Sequence, residues 1–375
     1  MGQQLGFALG CCHFGPDVGQ RRFTGREYLR NLYRALESID TIGNISIEYG
    51  KTDFLERVFS RPDDLRPVSM GGDFFPDFHL AYGRIEFDIH IPRRKQGALL
   101  TDERVTLDGH SENFRFLHEP SFPLPTTFVY PLGGIEPHPS RAFRLVRDVL
   151  EEQSEAFRHF DLTFDYVDPS PYVADCYVMS SEKVDERFAY HHERTRTPGF
   201  DKHTFTYSPR RYKSLEEAAK TVFSDLAQEV GVLYLLFSET QRRVTVWPEV
   251  AGSVSELVKT HMSRGWTFAL RRFRMSKQLD DAMMLLTQYK AEGVMALSNF
   301  RAAYGGLYAS LERPLLDEDV QSARDALFES PVTETGEMLE LLERRRRARV
   351  DTVLLVTTAL AGGSVGTILT LLLTE

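Results

Sequence analysis

Alternating apolar and polar residues predict β-strands throughout the first 210 residues of the chain. The clearest alternation covers 84–91, where Ile or Phe stands at every odd position and a polar residue at every even one. Because successive side chains of a strand point to opposite faces, this segment should have one buried and one solvated face. Strands are predicted at 5–13, 45–49, 80–91, 114–117, 126–130, 162–167, 172–179 and 204–207, and helices at 25–38 and 140–158.

Beyond residue 213 the apolar period changes to three or four residues, which is typical of helices. The sequence Ser-Leu-Glu-Glu at 214–217 is a capping box and predicts a helix that runs to about 228 or 238. Pro248 and Pro314 bracket 65 residues without a proline, which should form one very long helix or two with a break at Gly265 or Gly293. Shorter helices are predicted at 319–328 and from about 335.

These patterns predict an α+β fold in which a mixed α/β cytoplasmic domain is followed by long helices and one C-terminal transmembrane helix. The predicted boundaries are 1–212 for a sensor domain, 213–349 for a helical oligomerisation or stalk domain, and 350–375 for the transmembrane helix. The composition is that of a folded protein, since 42% of the 375 residues are hydrophobic and 26% are charged.

Net charge and cysteine content narrow the classes of function. With a formal charge of −9, the chain as a whole is not a nucleic-acid coat or a polybasic membrane binder, so any anion site must be local. Cys11, Cys12 and Cys176 lack the spacing of a zinc framework or a disulfide scaffold, which favours a reducing compartment. The first 14 residues lack the charged region and long apolar core of a secretory signal, so residues 1–350 are expected in the cytoplasm.

An uncharged segment near the C-terminus predicts a membrane span. Thr352 to Thr374 are 23 residues without a charge. A helix of that length covers about 35 Å, enough for a hydrocarbon core of about 30 Å. Five arginines stand among the six residues 344–349 just before it, which places this end on the cytoplasmic side. We expect a single-pass protein of the inner (cytoplasmic) membrane; the alternative is a buried C-terminal core helix.

A stripe of mostly small or hydroxyl-bearing residues follows one side of the predicted span at steps of three and four. Such a stripe lets helices approach closely, and Gly362 and Gly366 add a GxxxG motif. Copies of the helix are expected to associate, either as a simple anchor dimer or as a ring in which the stripe lines a pore. The predicted pore-lining residues are Thr352, Val356, Ala359, Gly363, Gly366 and Thr370.

A basic and aromatic stretch between residues 187 and 213 contrasts with the acidic chain. Basic groups neutralise phosphates and aromatic rings stack on bases, so this mixture suits a single-stranded oligonucleotide or a nucleotide. The alternative is a β-hairpin whose arginines are simply solvated. The predicted ligand-binding residues are Arg187, Tyr190, Arg194, Arg196, Lys202, Phe205, Tyr207, Arg210, Arg211 and Lys213.

Catalytic and cofactor motifs are scarce in this sequence. It contains no GxGxxG after a strand, no P-loop, no HExxH and no GxSxG, so no catalytic residue, metal or cofactor is assigned. Glu86, Asp88 and His90 share one face of a predicted strand and are the best candidates for a metal-dependent nuclease site. His191, His192 and His203 form a second group rich in ligand atoms but without a recognised zinc spacing.

The order of an α/β domain, long helices and an arginine run entering a C-terminal span resembles two families. It is similar in layout to the CorA-type cation channels, although their Gly-Met-Asn motif is absent from this sequence. Together with the basic aromatic stretch, it also resembles the Hailong-type effectors of bacterial anti-phage defence. The second resemblance implies an ion channel whose cytoplasmic domain is held closed by a DNA oligomer.

Three hypotheses of function follow. The first is an oligomeric membrane effector, an ion channel or pore gated by a nucleotide or oligonucleotide bound to the cytoplasmic domain. Its expected partners are further copies of the chain, membrane lipid, a single-stranded DNA or nucleotide signal, and an operon-encoded nucleotidyltransferase. The alternatives are a tail-anchored adapter or scaffold and a membrane-tethered nuclease-like enzyme.

Overall fold

The computed structural model describes residues 4–16, 23–48, 55–56, 58–59, 83–100, 111–119, 124–133, 138–167, 174–197, 200–262, 268–310, 314–327 and 330–348. A large sheet and several helices pack together there, so the mixed α/β fold class is confirmed. The strands are β1 Gln4–Gly10, β2 Cys12–Pro16, β3 Phe23–Thr24, β4 Ile42–Ile47, β5 Val58–Phe59, β6 Ile85–His90, β7 Asn113–Glu119, β8 Thr126–Pro131, β9 Leu162–Tyr166, β10 Ala174–Ser180, β11 His191–Thr197 and β12 Phe200–Tyr207. The helices are α1 Gly25–Glu37, α2 Arg93–Leu99, α3 Ser140–Glu152, α4 Ser154–His159, α5 Leu215–Met262, α6 Phe268–Ser310, α7 Asp317–Ala326 and α8 at 332–348.

Eight strands form one sheet in the order β11-β12-β10-β1-β8-β7-β6-β4. Adjacent strands of this sheet are antiparallel, except for β10 and β12, which are parallel. Two short antiparallel pairs, β2 with β9 and β3 with β5, complete the described strands. The alternation in β6 gives the expected result, because Ile85, Phe87 and Ile89 are buried while the residues between them are partly exposed.

Both faces of the sheet are covered by helices. On one face α1, α3 and α4 contribute to a core that includes a stacked pair, Phe87 and Phe116, with ring centroids 4.5 Å apart. On the other face Phe223 of α5 stacks on Phe128 at 4.4 Å and meets Phe7 edge-on at 4.8 Å. The Thr126 hydroxyl also donates a 2.9 Å hydrogen bond to the carbonyl of Ala227. The first part of α5 therefore belongs to the sheet domain.

The described residues divide into two compact units. The first combines those of Met1–Arg242 with those of Ser298–Leu327, and the second combines Arg243–Leu297 with the residues described after Phe328. This division differs from the boundary predicted at 212/213. The reason is the apolar packing of α5 on the sheet, which periodicity alone does not reveal.

The second unit has a helical core. Val250 and Leu257 of α5 pack with Leu286 and Tyr289 of α6 and with Leu339 of α8, and all five are buried. Apolar residues at three- and four-residue spacing on each helix form this core, as expected for amphipathic helices.

The prediction that the helix opening at 214–217 ends at about 228 or 238 is wrong, since α5 continues to Met262 and passes through Pro248. A proline removes one helical N–H bond. Pro248 and Val244, whose carbonyl loses that bond, are both exposed, so water can satisfy the carbonyl. Of the two predicted breaks, Gly293 lies inside α6, while α5 ends at Met262 and α6 begins at Phe268, on either side of Gly265.

None of the helices in the part of the chain that the structure describes is both long enough and apolar enough to cross a bilayer. The predicted span at 350–375, with all six predicted pore-lining residues, lies outside the described residues.

Candidate functional site

The basic and aromatic stretch forms an antiparallel hairpin at the edge of the sheet, made of β11 and β12. In its register His192 lies opposite Phe205, Arg194 opposite His203 and Arg196 opposite Asp201. Because alternate residues of a strand share a face, Arg194 and Arg196 are on the same face of the hairpin. Lys202 pairs with Thr195 and therefore points to the other face.

Two of the predicted stacking residues are not available to a ligand in this structure. Phe205 is fully buried and Tyr207 is 4% exposed, so both contribute to the sheet core rather than to a surface. Phe205 packs on Phe7, with ring centroids 6.3 Å apart. In the conformation described, neither ring has an exposed face on which a base could stack. The half-buried Tyr190 donates a 2.7 Å hydrogen bond to Asp225 of α5.

Arg194 is held by carboxylates from two elements. Its Nη1 and Nη2 donate to the two carboxylate oxygens of Asp319 in α7, at 2.6 and 2.8 Å. Its Nε donates to Asp201 of β12 at 3.0 Å. Its neighbour on the same face, Arg196, donates from Nη2 to Glu318 at 2.8 Å. The side chain of Arg194 is 16% exposed and that of Arg196 is 57% exposed.

The remaining basic residues are spread over other surfaces. Arg187 is 83% exposed and forms an ion pair with Asp185. Arg211 Nη1 donates to the carbonyls of Glu186 and Arg187 at 3.1 and 3.0 Å, so these two arginines are neighbours. Lys202 Nζ lies 4.8 Å from the centre of the Tyr177 ring on the opposite face from Arg194. Arg210 and Lys213 are exposed.

The histidines of the hairpin contact each other directly. His192 Nε2 and His203 Nδ1 are 2.8 Å apart, and the two rings stack at 5.1 Å. Burial lowers the pKa of each to about 4, with the charge of Arg194 acting in the same direction. Both rings are therefore neutral at pH 7, and one ring nitrogen of each is used in their mutual hydrogen bond.

Glu86 and Asp88, the strand carboxylates considered for a nuclease, are bound to an arginine. Arg115 of β7 donates from Nη1 to Glu86 at 3.0 Å and from Nε to Asp88 at 2.7 Å. His90 Nδ1 lies 2.9 Å from the side-chain oxygen of Asn113. Within the described residues, no group of three or more His, Cys, Asp or Glu side chains could hold a metal ion. Both carboxylates are bound by Arg115 and do not form an open acidic site.

Sequence reasoning missed Glu229, a buried carboxylate of α5. Its two oxygens accept hydrogen bonds from the backbone N–H groups of Leu315 and Leu316, at 2.7 and 2.6 Å, immediately before α7. Burial raises the pKa of Glu229 to about 7, and the charges of Asp225 and Asp317 also raise it. The sequence signal was weak: Glu229 directly precedes an apolar run at 230–237, where an unpartnered carboxylate would be costly.

We expect the free energy of unfolding of the first unit, which contains the eight-stranded sheet (the sheet unit), to fall as the pH rises from about 5 to about 7. The carboxyl of Glu229 keeps its proton up to about pH 7 when folded but loses it near 4.5 in the unfolded chain. Between these values the folded state binds more protons, so the unfolding free energy decreases with pH, by on the order of 3 kcal/mol in all. Urea unfolding of the detergent-solubilised chain at pH 5, 6, 7 and 8 measures this.

Glu229→Gln should flatten this pH dependence, because an amide does not titrate. It should also lower stability at pH 5, since one amide N–H₂ would face a backbone N–H. Glu216→Gln, an exposed position of the same helix, is the matched control and should leave the pH profile unchanged. An unaltered slope in Glu229→Gln would show that another group causes it.

Comparisons with models of protein families, with curated proteins and with solved structures found no match to this chain. The functional argument therefore depends on the residues and contacts described above.

Proposed function

We propose that this protein is an oligomeric membrane effector, an ion channel or pore whose cytoplasmic domain is gated by a nucleotide or an oligonucleotide. The main support is the end of α8. Arg344 and Arg347 there are 77% and 73% exposed, and they lie just before the 23 uncharged residues from Thr352 to Thr374. A basic, solvated helix end next to an uncharged segment is typical of the cytoplasmic side of a single membrane span.

The ligand of the proposed effector is an anion with aromatic bases. Arg187, Arg210, Arg211 and Lys213 are exposed around the hairpin, and the ring of Phe188 is 60% exposed. Arg187 and Arg211 are neighbours, and Phe188 directly follows Arg187 in the chain, so basic groups and an accessible ring occur together here, which suits a phosphodiester and a base. A nucleotidyltransferase encoded nearby would supply such a signal in anti-phage defence.

The proposed pore is formed by the stripe from Thr352 to Thr370 in copies of the C-terminal helix. Small residues at Gly363 and Gly366 allow helices to approach closely, and leucine there would force them apart. Polar groups along a narrow path are what a conducting pore requires. An adapter needs only hydrophobicity at these positions, so a substitution distinguishes the two functions.

Gly363→Leu should abolish membrane depolarisation while the amount of protein in the membrane stays the same. Leu369→Ile, predicted to face lipid, is the matched control and should depolarise cells as the unchanged chain does. The measurement combines a membrane-potential dye in expressing cells with the subunit number in detergent. Normal depolarisation by Gly363→Leu would rule out the proposed pore stripe, and an unchanged chain that never depolarises cells would favour the adapter.

A further inference from the structure

The first turn of α7, Asp317–Asp319, is an acidic turn that binds the arginines of the hairpin. Asp319 and Arg194 are 125 positions apart in the chain and form a bidentate pair. A guanidinium offers the same parallel N–H donors to a carboxylate and to a phosphate. Asp319 thus uses the donors of Arg194 that a phosphate would need.

A second pair repeats this arrangement one step away. Arg196 lies two residues after Arg194 on the same face of β11, and it binds Glu318, the residue before Asp319. Residues two apart on a strand are separated by about 6.6–6.8 Å along its axis. The acidic turn therefore presents two adjacent negative groups at the spacing of the two arginines, as a short oligonucleotide would.

The two pairs differ in exposure, since the side chains of Arg194 and Asp319 are only 16% and 23% exposed. Arg196 and Glu318 are 57% and 80% exposed, and such solvated ion pairs contribute little to stability. Arg194 keeps Asp201 as a partner when Asp319 leaves, so it is not left buried without a counter-charge. An anion with more than one charge can thus replace the acidic turn without breaking the hairpin.

Residues other than the hairpin arginines also contact the acidic turn and the residues just before it. It is fixed on its other side by Glu229, which binds the N–H groups of Leu315 and Leu316. Tyr304 of α6 donates a 2.7 Å hydrogen bond to Asp317 within it. After α7 the chain continues to α8 and the arginine run.

We propose that the acidic turn is an internal competitor for the Arg194–Arg196 site, and that a short single-stranded nucleic acid displaces it. This inference depends on the proposed function, because it assigns part of the ligand site and its regulation. Displacement frees α7 from the hairpin.

The test measures binding of a labelled single-stranded DNA hexamer to the full-length chain in detergent. The double variant Glu318→Gln, Asp319→Asn removes both competing charges at nearly constant shape, and it should bind about tenfold more tightly than the unchanged chain. Asp325→Asn, an exposed carboxylate near the other end of the same helix, is the matched control and should bind as the unchanged chain does. Arg194→Ala with Arg196→Ala should bind at least tenfold more weakly.

The outcomes separate this inference from the proposed function. If the arginine variant loses binding but the double variant binds no more tightly than the unchanged chain, the competitor is wrong and the ligand site stands. If no form binds the hexamer, the competitor and the Arg194–Arg196 ligand site are both wrong, and depolarisation of cells remains the test of the proposed channel. Hydrogen exchange gives a second measurement on the unchanged chain: exchange at 317–326 should increase when the hexamer is added, and unchanged exchange at saturating hexamer would overturn the displacement.

Discussion

A chain that lacks residues 350–375 should move from the membrane fraction to the supernatant, whereas the full-length chain should resist carbonate extraction. The removed segment includes 23 uncharged residues, many of them Leu, Val or Ile. Each such residue favours insertion at the centre of a helix by about 0.3–0.6 kcal/mol, so their loss removes the whole driving force for insertion. Immunoblots of both fractions after carbonate treatment measure the distribution.

The matched control replaces the four arginines at 344–347 with glutamine. Those residues set orientation rather than hydrophobicity, so this variant should stay in the membrane and lose its fixed topology. A full-length chain that is soluble without detergent would contradict the anchor and, with it, the proposed channel.

Gly10→Ala should unfold the sheet unit or lower its stability by about 3 kcal/mol or more. A Cβ at this position would lie 1.8 Å from Cε2 and 1.9 Å from Cζ of Phe143. Phe143 is a residue of α3 that is 6% exposed and belongs to the core, so a shift of its ring would disturb the packing of its neighbours. Urea unfolding followed by circular dichroism measures the loss.

Gly43→Ala is the matched control for this substitution. Among the described residues, no heavy atom lies within 4 Å of a Cβ added at Gly43, so this change should alter stability by less than about 0.5 kcal/mol. Adding Phe143→Leu to Gly10→Ala should recover part of the lost stability, because the smaller side chain makes room. If the Gly10→Ala chain were as stable as the original, α3 and β1 would have to move apart at little cost, and the close contact of Gly10 with Phe143 would not be required.

The sheet was largely predictable because its pattern is local. Seven of the predicted strand segments overlap one described strand each, and the predicted strand at 5–13 covers both β1 and β2. The hairpin is less predictable from composition. In β12, His203, Phe205 and Tyr207 are buried while Lys202, Thr204 and Thr206 are at least partly exposed, an alternation that the sequence shows but that its basic and aromatic composition obscures.

The contacts that define the candidate site were not predictable, since they join distant parts of the chain. Arg194 meets Asp319 across 125 positions, and Glu229 meets Leu316 across 87. Periodicity reports which face of an element is buried but not which element covers it. Acidic residues are favourable at any helix N-terminus, so those at the start of α7 give no sign in the sequence that they pair with arginines elsewhere.

The central position of β1 determines when this domain can form during synthesis. β1 is bounded by β8 on one side and β10 on the other, so the first strand made must wait for residues 174–180 before both its edges are paired. At about 5–20 residues per second, the ribosome takes on the order of ten seconds or more to reach that point. Until then the edge of β1 that pairs with β10 has no partner, so a chaperone that binds nascent chains should aid folding.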